Sequence, residues 1–129
     1  MWYVLAAEPG ARLVSGFKPG VTRERYLEAL AQERITELLQ DHPVAPGDVF
    51  FLPAGRVHAI GKGSCLAEIQ QTSDVTYRIH DYGRIDSATG KPRALHTQEA
   101  LEATDFTPVA QLRTAYTPVK GASVTLVDC

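Results

Sequence analysis

One stretch of this 129-residue chain joins residue types at a spacing that can do chemistry. Gly47-Asp48-Val49-Phe50-Phe51-Leu52-Pro53-Ala54-Gly55-Arg56-Val57-His58 fits the pattern G-x5-P-x-G-x2-H. Gly47 permits a turn into a strand, and four β-prone residues follow. Pro53 and Gly55 permit a tight corner. His58 then emerges at the start of the next strand. A neutral imidazole there is a good ligand for zinc, iron, nickel or manganese. The other reading of His58 is a buried or turn histidine that binds nothing. Beyond it, Leu66, Glu68 and Gln70 alternate with Ala67, Ile69 and Gln71, so one strand face carries polar groups. Arg78, Arg84 and Arg93 are interleaved with Asp74, Asp81 and Asp86. That mixture reads as a solvated surface of both signs rather than a polyanion site.

These residues must be held by short strands. Trp2-Tyr3-Val4-Leu5-Ala6 is rich in β formers, and Ala11 to Phe17 follows after the turn chemistry of Glu8-Pro9-Gly10. From Thr22 the period changes. Tyr26, Leu27, Leu30 and Ala31 keep helical spacing, as do Ile35, Leu38 and Leu39. Thr22 is the expected N-cap, because its hydroxyl can accept from an orphan amide of the first turn. One bent helix or two short ones would fill about 22–41, ending before Pro43. Val49–Leu52, Val57–Ile60, Cys65–Thr72, Thr76–Asp81 and Ala122–Val127 are further strand candidates. Asp86–Arg93 reads as a surface loop and His96–Ala103 as a short helix.

The sum is one mainly β domain over residues 1–129, a sandwich or barrel with a helical insertion. Hydrophobic residues at 44% and charged residues at 22% fit an ordinary globular chain. A net charge of −2 argues against electrostatic binding to nucleic acid or anionic membrane. No apolar run reaches the ~20 residues of a membrane-spanning helix. The N-terminus has no basic region of a secretory signal. Cys65 and Cys129 form no spacing motif, so a reducing, cytoplasmic location is expected.

The G-x5-P-x-G-x2-H spacing resembles the second motif of the cupins, small double-sheet jelly rolls. The usual first cupin motif is absent. A longer string is more specific. Pro53–Gly61 runs on to Glu68-Ile69-Gln70-Gln71-Thr72-Ser73-Asp74 and to Thr76-Tyr77-Arg78-Ile79-His80-Asp81-Tyr82-Gly83-Arg84. Together with Met1-Trp2-Tyr3-Val4 and Pro92-Arg93-Ala94-Leu95-His96, it resembles the short bacterial form of class I mannose-6-phosphate isomerase over nearly the whole chain. The resemblance implies an incomplete cupin-type jelly roll. It also implies conversion of mannose 6-phosphate to fructose 6-phosphate through a cis-enediol, with one divalent metal, usually zinc. By resemblance His58 is a metal ligand and Arg78 the active-site arginine. Glu68 matches a carboxylate that serves as acid or base, with a structural carboxylate as the competing reading. Lys62 is a candidate phosphate contact.

The departures are equally specific. The family takes a histidine ligand from a Q-x-H-P segment and a glutamate ligand from a K-T-E segment just before M-W-Y-V. Both would lie upstream of residue 1, so the chain looks like a central fragment whose metal site is incomplete. Gln40-Asp41-His42-Pro43 reads as the end of the helical region and not as a replacement. The isolated chain is then expected to bind metal weakly and to turn over little or no substrate. Unpaired strand edges would favour a homo-oligomer. Two other readings stay open: a non-catalytic cupin that binds a sugar phosphate, and a purely structural cupin module. His80 is expected to pack rather than to line the cavity, and His96 to start the late helix.

Overall fold

A computed structural model describes residues 1–73, 75–109, 111, 113–117, 119–120 and 125–126. Strands β1 (Trp2–Ala7) and β2 (Arg12–Phe17) come first, then helix α1 (Arg23–Ala31) and a 3-10 turn, Ile35–Leu38. Strands β3 (Leu39–Pro43), β4 (Val49–Phe50), β5 (His58–Ile60) and β6 (Ser64–Glu68) follow. Helix α2 is Thr97–Ala103, and β7 (Val119–Lys120) pairs with β8 (Thr125–Leu126). Of the strand expected over Ala122–Val127, only Thr125–Leu126 lies within the described residues.

Two three-stranded antiparallel sheets form, in the orders β4-β1-β6 and β3-β2-β5. Apart from β2 and β3, which pair with each other, successive strands pass from one sheet to the other. The inward face of each is set by alternation. Trp2, Val4 and Phe50 of one sheet and Leu13 of the other make a buried cluster between them. Leu52 and Leu66 pack against its margin. The crossovers β1 to β2 and β5 to β6 lie side by side. Glu8 N donates to Gly63 O at 2.8 Å, and Gly61 N donates to Arg12 O at 3.1 Å.

A second cluster lies under the helices. It contains Val21, Tyr26, Ala29, Ile35, Leu38 and Leu101. Phe17 and Phe106 stack at 5.5 Å and both meet the Tyr26 ring edge-on. Thr22 caps α1, its Oγ1 accepting from Arg25 N at 3.3 Å. The helix ends through Glu33, held at φ 57, while Arg34 N donates to Ala29 O. A left-handed residue just past the last turn satisfies these otherwise orphaned carbonyls.

Three local expectations are corrected. The buried face of α1 is Tyr26 and Ala29, whereas Leu27 is exposed. Leu39–Pro43 is strand: the helical stretch ends at Leu38, and Leu13 pairs with His42 and Val14 with Asp41. His42 thus belongs to the sheet and not to a helix end. Thr76–Asp81 forms no strand. Its backbone is held by His96 and by a turn: Arg78 N donates to His96 Nδ1 at 3.0 Å, His96 N donates to Arg78 O at 2.9 Å, and Arg84 N donates to Asp81 O at 2.9 Å. Val75 and Tyr77 are exposed, and the segment joins no strand ladder among the described residues. The loop over 86–93 is built on Asp86, whose Oδ1 accepts from Ala88 N and Thr89 N at 2.9 Å.

Candidate functional site

The corner before β5 positions His58. Gly55 stands at φ 83, where an added Cβ would come within 2.7 Å of Ala103 O. Only glycine takes that conformation and that contact without strain. Asp105 N donates to Gly55 O at 2.9 Å, and Gly16 N donates to Val57 O at 2.7 Å, so the corner is tied on both sides.

His58 pairs with Ser15 across β5 and β2, which puts both side chains on the inner face of that sheet. The imidazole edge meets the Trp2 ring at 5.3 Å and 83°. Its Nδ1 lies 2.7 Å from Arg56 O. A carbonyl only accepts, so the proton sits on Nδ1 and the Nε2 lone pair is left for a ligand. Hydrogen bonds of this kind orient metal-binding histidines.

Trp2 also pairs with Glu68, the last residue of β6. Directly opposed residues share a face, so Glu68 lies on the inward side of its sheet, exposed because the strand ends there. Trp2 is therefore the common neighbour that brings His58 and Glu68 to one end of the inter-sheet core. Lys62 is not brought there. It sits exposed in the turn between β5 and β6, at the other end of both strands. Six residues of extended chain separate it from Glu68, about 20 Å.

Arg78 is held elsewhere. Its Nη1 donates to Ala94 O at 3.1 Å and its Nε stands 3.8 Å from Asp81 Oδ1. Among the described residues, no hydrogen bond, ion pair or ring contact joins Arg78 to His58 or Glu68. Asp81 is shared: Arg93 Nε donates to its Oδ2 at 2.8 Å, and Arg93 Nη2 donates to Oδ1. The hydrogen bond from Arg93 holds the Asp81 carboxyl below the usual carboxylate range. The expected mixed-charge surface is thus, at Arg78, Asp81 and Arg93, an ion-pair cluster. His80 meets Tyr82 edge-on at 4.6 Å, and His96 occupies the position before α2, its ring turned to Arg78.

The residues present do not by themselves fit a metal. No group of three His, Cys, Asp or Glu able to hold one exists among the described residues. Catalytic zinc normally takes three protein ligands. His42 also lies on the inner face, opposite Leu13, but β2 separates it from His58 by about 10 Å. Its ring lies 6.0 Å from that of Phe50.

Trp2 and Ser15 escaped sequence reasoning. The signal for Trp2 was its alternation with Val4. Ser15 has no signal, since a serine in an apolar strand looks like any tolerated polar residue. A groove of about 280 Å³, lined by Phe17, Lys18, Val21, Arg56, Asp105 and Phe106, borders the helical cluster and shares Arg56 with the corner that carries His58.

No family model matches the chain. Curated relatives do. A mannose-6-phosphate isomerase of Streptococcus mutans is 35% identical over 126 residues, which is 98% of this chain and 39% of the relative. A mannose-6-phosphate isomerase of Bacillus subtilis is 37% identical over 115 residues, 89% of this chain and 36% of the relative. The crystal structure of the Bacillus subtilis mannose 6-phosphate isomerase superposes with a TM-score of 0.83 and 30% identity, covering 96% of this chain and 38% of that one. The mainly β, two-sheet architecture with its two helices matches that neighbour and is cupin-like. The chain spans less than two-fifths of the length of these relatives. In sequence and in fold, this chain is a relative of the mannose-6-phosphate isomerases, matching a part of them along nearly its whole length.

Proposed function

We propose that the chain carries the central part of the catalytic cupin of a mannose-6-phosphate isomerase, with residues 1–129 as one unit and its helical insertion near 22–41. The substrate pair is mannose 6-phosphate and fructose 6-phosphate. The observation that carries this reading is the match to mannose-6-phosphate isomerases over 98% of the chain. Aldose–ketose interconversion moves a proton between C2 and C1 through a cis-enediol. Glu68 is the group assigned to that proton, since it is a carboxylate at the His58 end of the core. Arg78 is assigned to the oxyanion or phosphate, because a guanidinium stays protonated and offers a planar fork of donors. Lys62, at the far end of β6, is the weaker phosphate contact. His58 is assigned as one ligand of a divalent metal, zinc. Metal dependence is general among these isomerases. The single candidate ligand makes weak metal binding by this chain the expected outcome.

A second reading is favoured by the lack of a three-ligand cluster among the described residues. In it the cupin binds the sugar phosphate without turning it over. One experiment separates the readings. Mannose 6-phosphate is titrated onto the chain with zinc present, following the His58 ring by NMR, and fructose 6-phosphate formation is measured alongside. Saturable shifts are expected, and His58→Ala should weaken zinc binding by at least about tenfold. Shifts without product favour the second reading. No shift at His58 from either zinc or sugar phosphate sinks both.

Two finer points follow from the same reading. A cytoplasmic location accords with the exposed, free Cys65 thiol. No helix among the described residues is long and apolar enough to cross a membrane, and nucleic acid is not a proposed partner. The outer edge of β6 pairs with no strand among the described residues, so a second copy is the proposed neighbour. Sedimentation should then show a dimer at micromolar concentration, and a strictly monomeric species would count against it.

A further inference from the structure

Two polar atoms at the His58 end of the core have no partner among the described residues. Trp2 Nε1 belongs to a side chain 2% exposed, and Ser15 Oγ to one fully buried. Both residues flank His58: Trp2 through the edge-on ring contact, Ser15 through cross-strand pairing on the same face. Native proteins almost always satisfy such buried groups, and each that is left unsatisfied carries a desolvation cost. Tyr26 also has a buried hydroxyl without a partner, yet its neighbours are Phe17 and Phe106. The Trp2 and Ser15 pair differs in lying beside an imidazole and a carboxylate.

We propose that Trp2 Nε1 and Ser15 Oγ together hold one hydroxyl oxygen beside His58. An indole N–H only donates, while a serine hydroxyl donates or accepts. The occupant must therefore accept from Trp2 and exchange one hydrogen bond with Ser15. A water or a sugar hydroxyl does both, and a cation does neither. Trp2 and Ser15 are then positioning residues for an oxygen, not metal ligands. The sugar arm of this inference rests on the reading of the His58 end as the sugar-phosphate site.

Trp2 is the only tryptophan, so its indole N–H gives one unambiguous resonance in the ¹⁵N-labelled chain. In the free protein a cross-peak from that N–H to a long-lived water is expected. Ser15→Ala should shift the indole resonance and remove the cross-peak. Ser15→Cys, a weak donor of similar size, replaces it if the alanine variant does not fold. Adding mannose 6-phosphate distinguishes the two sources of the oxygen. Replacement of the water cross-peak by one to the sugar assigns a substrate hydroxyl, and persistence of the water peak assigns a structural water. Either supports the proposal. An indole N–H with no cross-peak to water or sugar, or one indifferent to the Ser15 substitution, overturns it. If the sugar moves no resonance at all while the Ser15-dependent water remains, the functional reading has failed and the shared oxygen site stands.

Discussion

Gly61→Ala should destabilise the protein by about 3 kcal/mol. The expected cost has two parts. A Cβ on Gly61 would overlap the carbonyl oxygen of Arg12, which is backbone and cannot swing aside. Forcing extra carbon into a packed site costs roughly 1–3 kcal/mol. The same carbonyl accepts from Gly61 N at 3.1 Å, and separating the two strains that bond, worth about 1 kcal/mol. Gly10→Ala is the control. Gly10 stands at φ 81 with nothing within 4 Å of an added Cβ, so only the left-handed conformation is penalised, about 1–2 kcal/mol. Urea denaturation of the three proteins gives the comparison. With a slope of roughly 1–3 kcal/mol per molar for a small protein, the Gly61 variant's midpoint should fall by at least about 1 M. Equal losses at Gly61 and Gly10 would show that Arg12 relaxes freely and that the corner is not tight. The consequence reaches the site. Ile60 pairs with Leu13 and His58 with Ser15, so a shifted corner moves β5 against β2 and loosens the contact between His58 and Trp2.

That chain of dependence explains what was legible in the sequence. Turns written in Gly and Pro, and strands written in alternating apolar residues, place β1, β2, β4, β5 and β6 within a few residues of where they lie. Thr22 announces α1 because a cap is a local hydrogen bond. Local signals fail where a distant partner decides. Gln40–Pro43 carries no strand pattern of its own, yet β2 offers it an edge, and Leu13 and Val14 recruit His42 and Asp41. Thr76–Asp81 has the residue types of a strand but joins neither sheet, and it is held by His96 instead. The site divides the same way. His58 is visible through its spacing motif. Glu68 is visible through strand alternation and family resemblance, and Arg78 through family resemblance alone. Trp2 and Ser15 matter only because two sheets face each other, and the intervals of a linear chain do not record that. The separation of Lys62 from Glu68 is likewise a product of strand direction: the chain turns at Lys62 and needs all of β6 to return.

On the proposed sugar-phosphate reading, Arg78→Ala should weaken mannose 6-phosphate binding by roughly 10- to 100-fold, the second of the two large effects. A hydrogen bond from a charged donor to an anionic acceptor contributes about 1.5–3 kcal/mol, and every 1.4 kcal/mol is about tenfold in affinity. Arg78 Nε faces Asp81 and Nη1 is engaged by Ala94 O, which leaves Nη2 as the nitrogen without a protein partner among the described residues. The guanidinium is thus oriented before any anion arrives. Arg93 contributes to that state. It donates to both carboxylate oxygens of Asp81, so Asp81 stands 3.8 Å from Arg78 Nε, beyond hydrogen-bonding distance, and does not neutralise it fully. Removing Arg93 should free Asp81 to close on Arg78, so Arg93→Ala is expected to weaken the same binding, by less than Arg78→Ala. The double variant Arg93→Ala, Asp81→Asn should recover part of the loss, because the competing charge has gone. Calorimetric titration of the four proteins with mannose 6-phosphate reads all of this. A structural role for Arg78, confined to fastening the loop to Ala94 and His96, would give a different pattern. Arg78→Ala would then lower stability with affinity unchanged, and the Asp81 substitution would rescue nothing.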